Sequence, residues 1–161
     1  MAKIVVIYDS RTGNTKRMAE CVAEGIEESG GEVTIKSVEE ATPDDLYAAD
    51  GIAIGSPTYY GHCTSQIRRL FDRSVQYHGR LVGKVGGAFA SSHHIGGGNE
   101  TTVLAILHSM LVHGMIIQGV VDGDHYGPTS IGAPNRRSER QCRNLGNRLV
   151  DLSERLAADK D

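Results

Sequence analysis

The chain has 161 residues, of which 39% are hydrophobic and 23% charged, and its formal net charge is −3. That length fits one domain over residues 1–161 and buries enough surface to need no disulfide or metal staple. The charge balance excludes a basic nucleic-acid surface, and no apolar run approaches the ~20 residues of a membrane span.

In chain order, Lys3–Tyr8 (KIVVIY) reads as the first strand. Met18, Val22 and Ile26 then recur at helical spacing from residue 14 to about 29, where Gly30 and Gly31 stop the helix. EVTIKSV alternates and reads as the second strand. A short helix follows, with Thr42 as its N-cap and Pro43 at its first position. GIAIGS is the third strand, and the loop PTYYGHCT leads into a helix over residues 65–76. KVGGAFASS is the fourth strand, followed by HHIGGGN and a helix over residues 100–113 that Gly114 caps. MIIQGVV (115–121) reads as the fifth strand. A long loop, 122–135, precedes the last helix, 138–158.

Strands alternating with helices imply parallel pairing through right-handed crossovers, with helices on both faces. The expected fold is α/β: a doubly wound five-stranded parallel sheet, order 2-1-3-4-5, in a three-layer α/β/α sandwich. Ligands of such sheets bind at the carboxyl ends of the strands, so the loops after strands one, three and four are the candidates.

The first of these loops offers hydroxyls from Ser10, Thr12 and Thr15, the amide of Asn14, the cation Arg11, and Gly13 for close approach. It opens a helix whose unpaired N–H groups favour a phosphate, although a turn rich in Ser and Thr also serves simply as an N-cap. It is neither GxxxxGK[ST] nor GxGxxG. The second loop, 56–61, carries Pro57, Thr58, Tyr59, Tyr60 and Gly61. Two adjacent tyrosines, among only six Tyr and two Phe in the chain, stack on a flat heterocycle or cover a helix end. The third loop, 91–99, holds Ser91, Ser92, His93, His94 and three consecutive glycines, Gly96, Gly97 and Gly98. These read as close backbone approach to a ring's polar edge, or as a flexible loop. No carboxylate motif joins His93 and His94 in a metal site. A terminal phosphate, a polar chain and a planar ring together describe FMN.

At this point the chain resembles a known group. DSRTGNT is similar to the phosphate loop of the flavodoxin superfamily. GSPTYYGHCTSQIRRLFD, AFASSHHIGGGNETT, LVHGMIIQG and HYGPTSIG resemble the tryptophan-repressor-binding-like flavoproteins, the type IV NAD(P)H:quinone oxidoreductases. The resemblance implies a flavodoxin-like sandwich in which residues Ser10 to Thr15 hold the FMN phosphate. It places Thr58, Tyr59 and Tyr60, between Pro57 and Gly61, along the ring. It assigns Ser91, Ser92, His93, Gly97 and Gly98 to the ring's polar edge or the ribityl chain. His113 matches a histidine of the family's FMN site. That residue ends the helix after strand four, so it reaches a flavin only across an oligomer contact, or else it simply faces the negative end of its helix.

The activity implied is electron transfer from NAD(P)H through FMN to a quinone-like small molecule or a redox protein. No side chain serves as acid or base, and no metal takes part. The alternative is an electron carrier that binds FMN without nicotinamide activity. A homodimer or homotetramer is the implied assembly. The sequence departs from the family in a short segment between the second and third strands, and in lacking the family's tryptophan-bearing stretch after the third helix. Three cysteines without metal spacing (Cys21, Cys63, Cys142), and no leader pattern, point to a cytoplasmic protein. Cys63 reads as a reactive thiol beside the flavin or as a packing residue. His125 and Tyr126 are candidates for an acceptor pocket.

Overall fold

In the computed structural model, which describes residues 1–158, β1 (Lys3–Tyr8) opens an alternation of strands and helices. The chain continues through α1 (Asn14–Glu28), β2 (Glu32–Ser37), α2 (Pro43–Ala48), β3 (Gly51–Pro57) and α3 (Ser65–Arg73). A short 3-10 turn, Ser74–Tyr77, is followed by β4 (Val85–Ser92), α4 (Asn99–Val112), β5 (Ile116–Ile117), β6 (Thr129–Ile131) and α5 (Arg136–Ala158). All strand pairs are parallel, in the order β2-β1-β3-β4-β5, with β6 also paired to β4. The expected doubly wound sandwich is therefore the observed one. The domain boundary assigned at residue 161 lies outside the described residues.

Side chains alternate across the pleat and build two cores. Val5, Ile7, Ile52, Ile54, Ala88 and Ala90 pack with α2, α3 and α4. Ile4, Val6, Ala53, Val85 and Phe89 pack with α1 and α5. Both faces of the central strands are covered, which is why β1, β3 and β4 read as near-continuous apolar runs.

One expectation needs correction. The run MIIQGVV does not form a continuous fifth strand. Only Ile116 and Ile117 pair, opposite Val85 and Gly86. The chain then leaves the sheet and returns as β6, where Thr129, Ser130 and Ile131 pair with Ala90, Ser91 and Ser92. In between, Gly127 lies so close to Ala88 that a Cβ there would stand 2.1 Å from its carbonyl oxygen. The backbone crosses β4 here without room for a side chain. Val121, in the excursion, is 89% exposed. The split strand leaves β6, and not β5, beside the carboxyl ends of β3 and β4.

Candidate cofactor site

The carboxyl ends of β1, β3, β4 and β6 form one edge, and the three candidate loops meet on it. Asp9 donates its N–H to the Gly55 carbonyl (3.1 Å), and Thr58 donates its N–H to the Ser91 carbonyl (2.8 Å). Thr15 and Ser91, 76 residues apart, share a buried hydroxyl–hydroxyl bond of 2.9 Å. Arg11 lies over the Tyr59 ring, 4.9 Å from its centroid, and so ties the first loop to the second. Thr102 donates to the Thr58 hydroxyl (3.1 Å) and Thr101 to the Gly61 carbonyl (2.6 Å), which fasten the second loop to the start of α4. A Cβ on Gly98 would stand 2.7 Å from the Gly61 Cα, so these two loops touch backbone to backbone.

The helix starts differ in how they are capped. Thr42 and Asp45 form a capping box on α2. Thr64 accepts from the Ile67 N–H on α3 (3.4 Å), and Asn135 accepts from the Ser138 N–H on α5 (3.0 Å). By contrast, α1 begins at Gly13 (φ 96°) and α4 at Gly98 (φ 100°), both left-handed and neither capped by a side chain. The Ser10 hydroxyl accepts from the Gly13 N–H (3.1 Å), one residue ahead of the helix, so it shapes the loop without capping α1. The first-turn amides of α1 and α4 therefore lack intrahelical acceptors and face the one edge where the loops converge. Nothing lies within 4 Å of the Cβ position of Gly13. Such a donor set suits a phosphate.

Around these amides, Thr12 and Arg11 are exposed, Asn14 is half-buried and Thr15 is buried. Pro57 and Thr58 are half-buried, while Tyr59 is 38% and Tyr60 fully exposed. Ser92 donates to the His94 carbonyl (3.0 Å) and accepts from the Asn99 amide (3.0 Å), which shapes the glycine loop. His93 and Gly97 are exposed, and the His93 and His94 rings meet edge to face at 4.7 Å. The edge thus gathers Ser10 through Thr15, Pro57 through Gly61, and Ser91, Ser92, His93, Gly97 and Gly98. Among the described residues no group of three or more His, Cys, Asp or Glu is placed to hold a metal ion.

His113 stands elsewhere, at the end of α4 and just before β5, beside the amino end of β4. It is buried. The Ser74 hydroxyl gives its proton to the Phe71 carbonyl (2.6 Å), so it accepts from His113 Nε2–H (2.7 Å). Nδ1 is then a bare acceptor without a partner. Burial, with His78 nearby, holds the His113 pKa below the ordinary histidine value.

Cys63 is buried, and its Sγ lies 3.3 Å from His62 Nδ1. Burial raises its pKa, so it stays a thiol and the packing reading is the better one. Cys21 and Cys142 are buried in the α1–α5 core, with Cys21 pushed up to about 11 and Cys142 higher still, both chiefly by burial. His125 and Tyr126 line a small recess with Glu100, Val103, Asp124 and Thr129. Sequence reasoning missed Ser130 and Ile131 at this edge, because three residues of strand inside a predicted loop leave no periodic signal. It also missed Thr101 and Thr102, whose pairing partners lie 40 and 44 residues away.

No helix among the described residues is long and apolar enough to cross a membrane. The Flavodoxin family profile matches residues 6–102. The chain is 44% identical to a flavodoxin of Aquifex aeolicus, over 94% of this chain and 86% of that protein. It is 34% identical to a protein of Archaeoglobus fulgidus named NAD(P)H dehydrogenase (quinone), over 97% of this chain and 100% of the relative. A solved WrbA-like flavodoxin from Agrobacterium tumefaciens matches with a TM-score of 0.82 at 27% identity, covering 96% of this chain and 99% of that one. Fold, profile and relatives agree: the chain belongs to the flavodoxin family.

Proposed function

We propose that this protein is an FMN-dependent oxidoreductase that passes electrons from NAD(P)H to a quinone-like acceptor. Family membership implies FMN. The observation that carries the cofactor reading is the capping pattern: the two uncapped helix starts, at Gly13 and Gly98, are those at the converging loops. Their open amides, with the hydroxyls of Ser10, Thr12 and Thr15, are the donors for the phosphate. Tyr59 and Tyr60 supply faces for the ring, and Ser91, Ser92, His93, Gly97 and Gly98 supply polar contacts to its edge and chain. Bound FMN supplies the electron transfer itself. The chain's own part is to bind, to orient, and to stabilise negative charge at the ring edge with amides and hydroxyls.

The names of relatives support nicotinamide and quinone as the other participants. Besides the Archaeoglobus protein, one from Rhizobium rhizogenes with the same name is 38% identical over 74% of this chain and 71% of its own. A second reading, an FMN electron carrier without nicotinamide activity, is supported by the 44% identity to the Aquifex flavodoxin. Self-association is proposed on the family resemblance, with the exposed Val75, Leu111 and Val112 as the face it would use. His113 meets a flavin only in such an assembly.

The test is oxidation of NADH or NADPH with benzoquinone by the FMN-loaded protein. Turnover well above that of an equal concentration of free FMN is expected, and turnover no greater would remove the oxidoreductase reading. A redox titration separates the alternatives: one two-electron wave for the oxidoreductase, two resolved one-electron steps for the carrier.

A further inference from the structure

Thr15 and Ser91 hold a proton that the protein does not use. Both residues are buried, at 1% and 6% exposure, and their hydroxyls share one bond of 2.9 Å. Each hydroxyl has one proton to give. One of the two makes the shared bond, so the other is left over. No carbonyl or carboxylate among the described residues accepts it from either oxygen. Elsewhere the buried hydroxyls of Ser56, Ser74, Ser92, Ser130, Ser138 and Thr102 each give their proton to a main-chain carbonyl. A buried donor without an acceptor is costly, and it calls for an acceptor from outside the chain.

The neighbours say which acceptor suits it. Thr15 is the second residue of α1, whose start at Gly13 carries no side-chain cap. The Arg17 N–H finds an acceptor in the Gly13 carbonyl, at 3.0 Å. The N–H groups of Asn14, Thr15 and Lys16 stand open ahead of it. The leftover proton thus belongs to the donor set that suits a phosphate. A phosphate monoester carries about −1.5 to −2 charges at neutral pH, and its dianion has no proton to give. Thr15 then donates to the phosphate, and its oxygen accepts from Ser91. The proton order is fixed: Ser91 O–H to Thr15, and Thr15 O–H to the phosphate. A charged acceptor at the end strengthens such a chain, each bond polarising the next. The reverse order ends on a neutral ring carbonyl or ribityl hydroxyl and leaves the Thr15 hydroxyl nothing to give the phosphate.

Ser91 is a firm support for this. Its carbonyl accepts from the Thr58 N–H at 2.8 Å, and it pairs with Pro57 on one side and Ser130 on the other. A strand end held from both sides fixes the direction of its hydroxyl.

We propose that Ser91 is a positioning residue for the phosphate: its hydroxyl donates to Thr15 and so aims the Thr15 proton at the phosphate of the cofactor. This rests on the FMN reading above. The family resemblance puts Ser91 at the ring's polar edge or along the ribityl chain; its side chain instead acts on the other end of the cofactor, through Thr15.

The test is titration of the apoprotein with FMN and with riboflavin, read by quenching of flavin fluorescence. Ser91→Ala is expected to raise the FMN Kd about tenfold and the riboflavin Kd less than about twofold, since only the phosphate depends on the Thr15 proton. Thr15→Val removes the final donor and should cost FMN at least as much. Adding Ser91→Ala to Thr15→Val should cost nothing further, because two groups acting in series are lost once. Thermal melting of each apoprotein separates these effects from loss of the fold. Should Ser91→Ala not fold, Ser91→Cys, with only a weak donor, takes its place. A Ser91 hydroxyl that met the ring would raise both constants by the same factor in Ser91→Ala, and that result overturns the proposal. So does an unchanged FMN Kd, or a double variant whose loss is the product of the two single losses. Wild-type protein that takes no FMN ends the cofactor reading, and the Ser91–Thr15 chain is then tested with inorganic phosphate, followed by the amide resonance of Thr15. A phosphate Kd raised several-fold by Ser91→Ala supports the proposal; equal constants, or no response from the wild type, refute it.

Discussion

Tyr60 is the only non-glycine residue with positive φ among the described residues (49°), and its side chain is fully exposed. A tyrosine in the left-handed region costs roughly 1 kcal/mol, and here no buried contact of its ring offsets the cost. Strain kept without a packing return points to a ligand. Replacing Tyr60 with Gly removes the strain but adds chain entropy to the unfolded state, and the two nearly cancel. Tyr60→Gly is therefore expected to leave apoprotein stability within about 0.5 kcal/mol, read by thermal melting. The lost ring face should raise the FMN Kd about tenfold, read by flavin titration, because one aromatic stacking contact is worth about 1–1.5 kcal/mol. A large loss of stability with FMN binding intact would make Tyr60 structural. Tyr59 and Tyr60 were legible in the sequence because adjacent aromatics at a strand's carboxyl end have no core to enter. The Thr15–Ser91 bond was not: a hydroxyl pair 76 residues apart has no local signature.

The contact between α1 and α5 depends on two glycines. A Cβ on Gly25 would stand 2.1 Å from the Arg143 carbonyl oxygen, and one on Gly146 would stand 2.2 Å from the Val22 carbonyl oxygen. The helices thus approach backbone to backbone, and the Arg17–Glu139 and Arg143–Glu24 pairs lie across the same seam. Gly146→Ala gains about 1 kcal/mol in helix propensity but must force the helices apart, at a cost of about 3 kcal/mol. A net loss of about 2 kcal/mol is expected in denaturant unfolding of the apoprotein; a stabilised variant would show that the seam has slack. The same displacement would shift the start of α1, so FMN affinity should fall with it. These helices were legible from their apolar spacing, but their closeness was not, since a glycine inside a helical pattern carries no partner's address. The split of the fifth strand was hidden for a related reason. MIIQGVV is apolar but for Gln118 and Gly119, and the approach of Gly127 to Ala88, a contact across sheet and loop, carries no local signal of where pairing stops.

The layered topology was readable from the alternation of strands and helices alone, because parallel strands buried on both faces demand crossovers and covering helices. That topology brings four strand ends together and decides which loops can share a ligand. The selective lack of caps was not readable. Ser10, Thr12 and Thr15 had equal claim to be capping side chains or ligand donors, and only the geometry shows that none of them caps α1. At the other end of the sheet, His113 closes on Ser74, away from the edge where the loops converge. The account as a whole therefore stands on the affinity of that edge for FMN. Titration of the apoprotein with FMN, followed by quenching of flavin fluorescence, is predicted to give one site per chain with a Kd of about 1 µM or tighter. Riboflavin, which lacks the phosphate, should bind at least about a hundredfold more weakly, since the uncapped helix starts would then have no anion to hold. Equal affinity for the two, or no saturation by FMN at several tens of micromolar (roughly 6 kcal/mol of binding free energy), would contradict it.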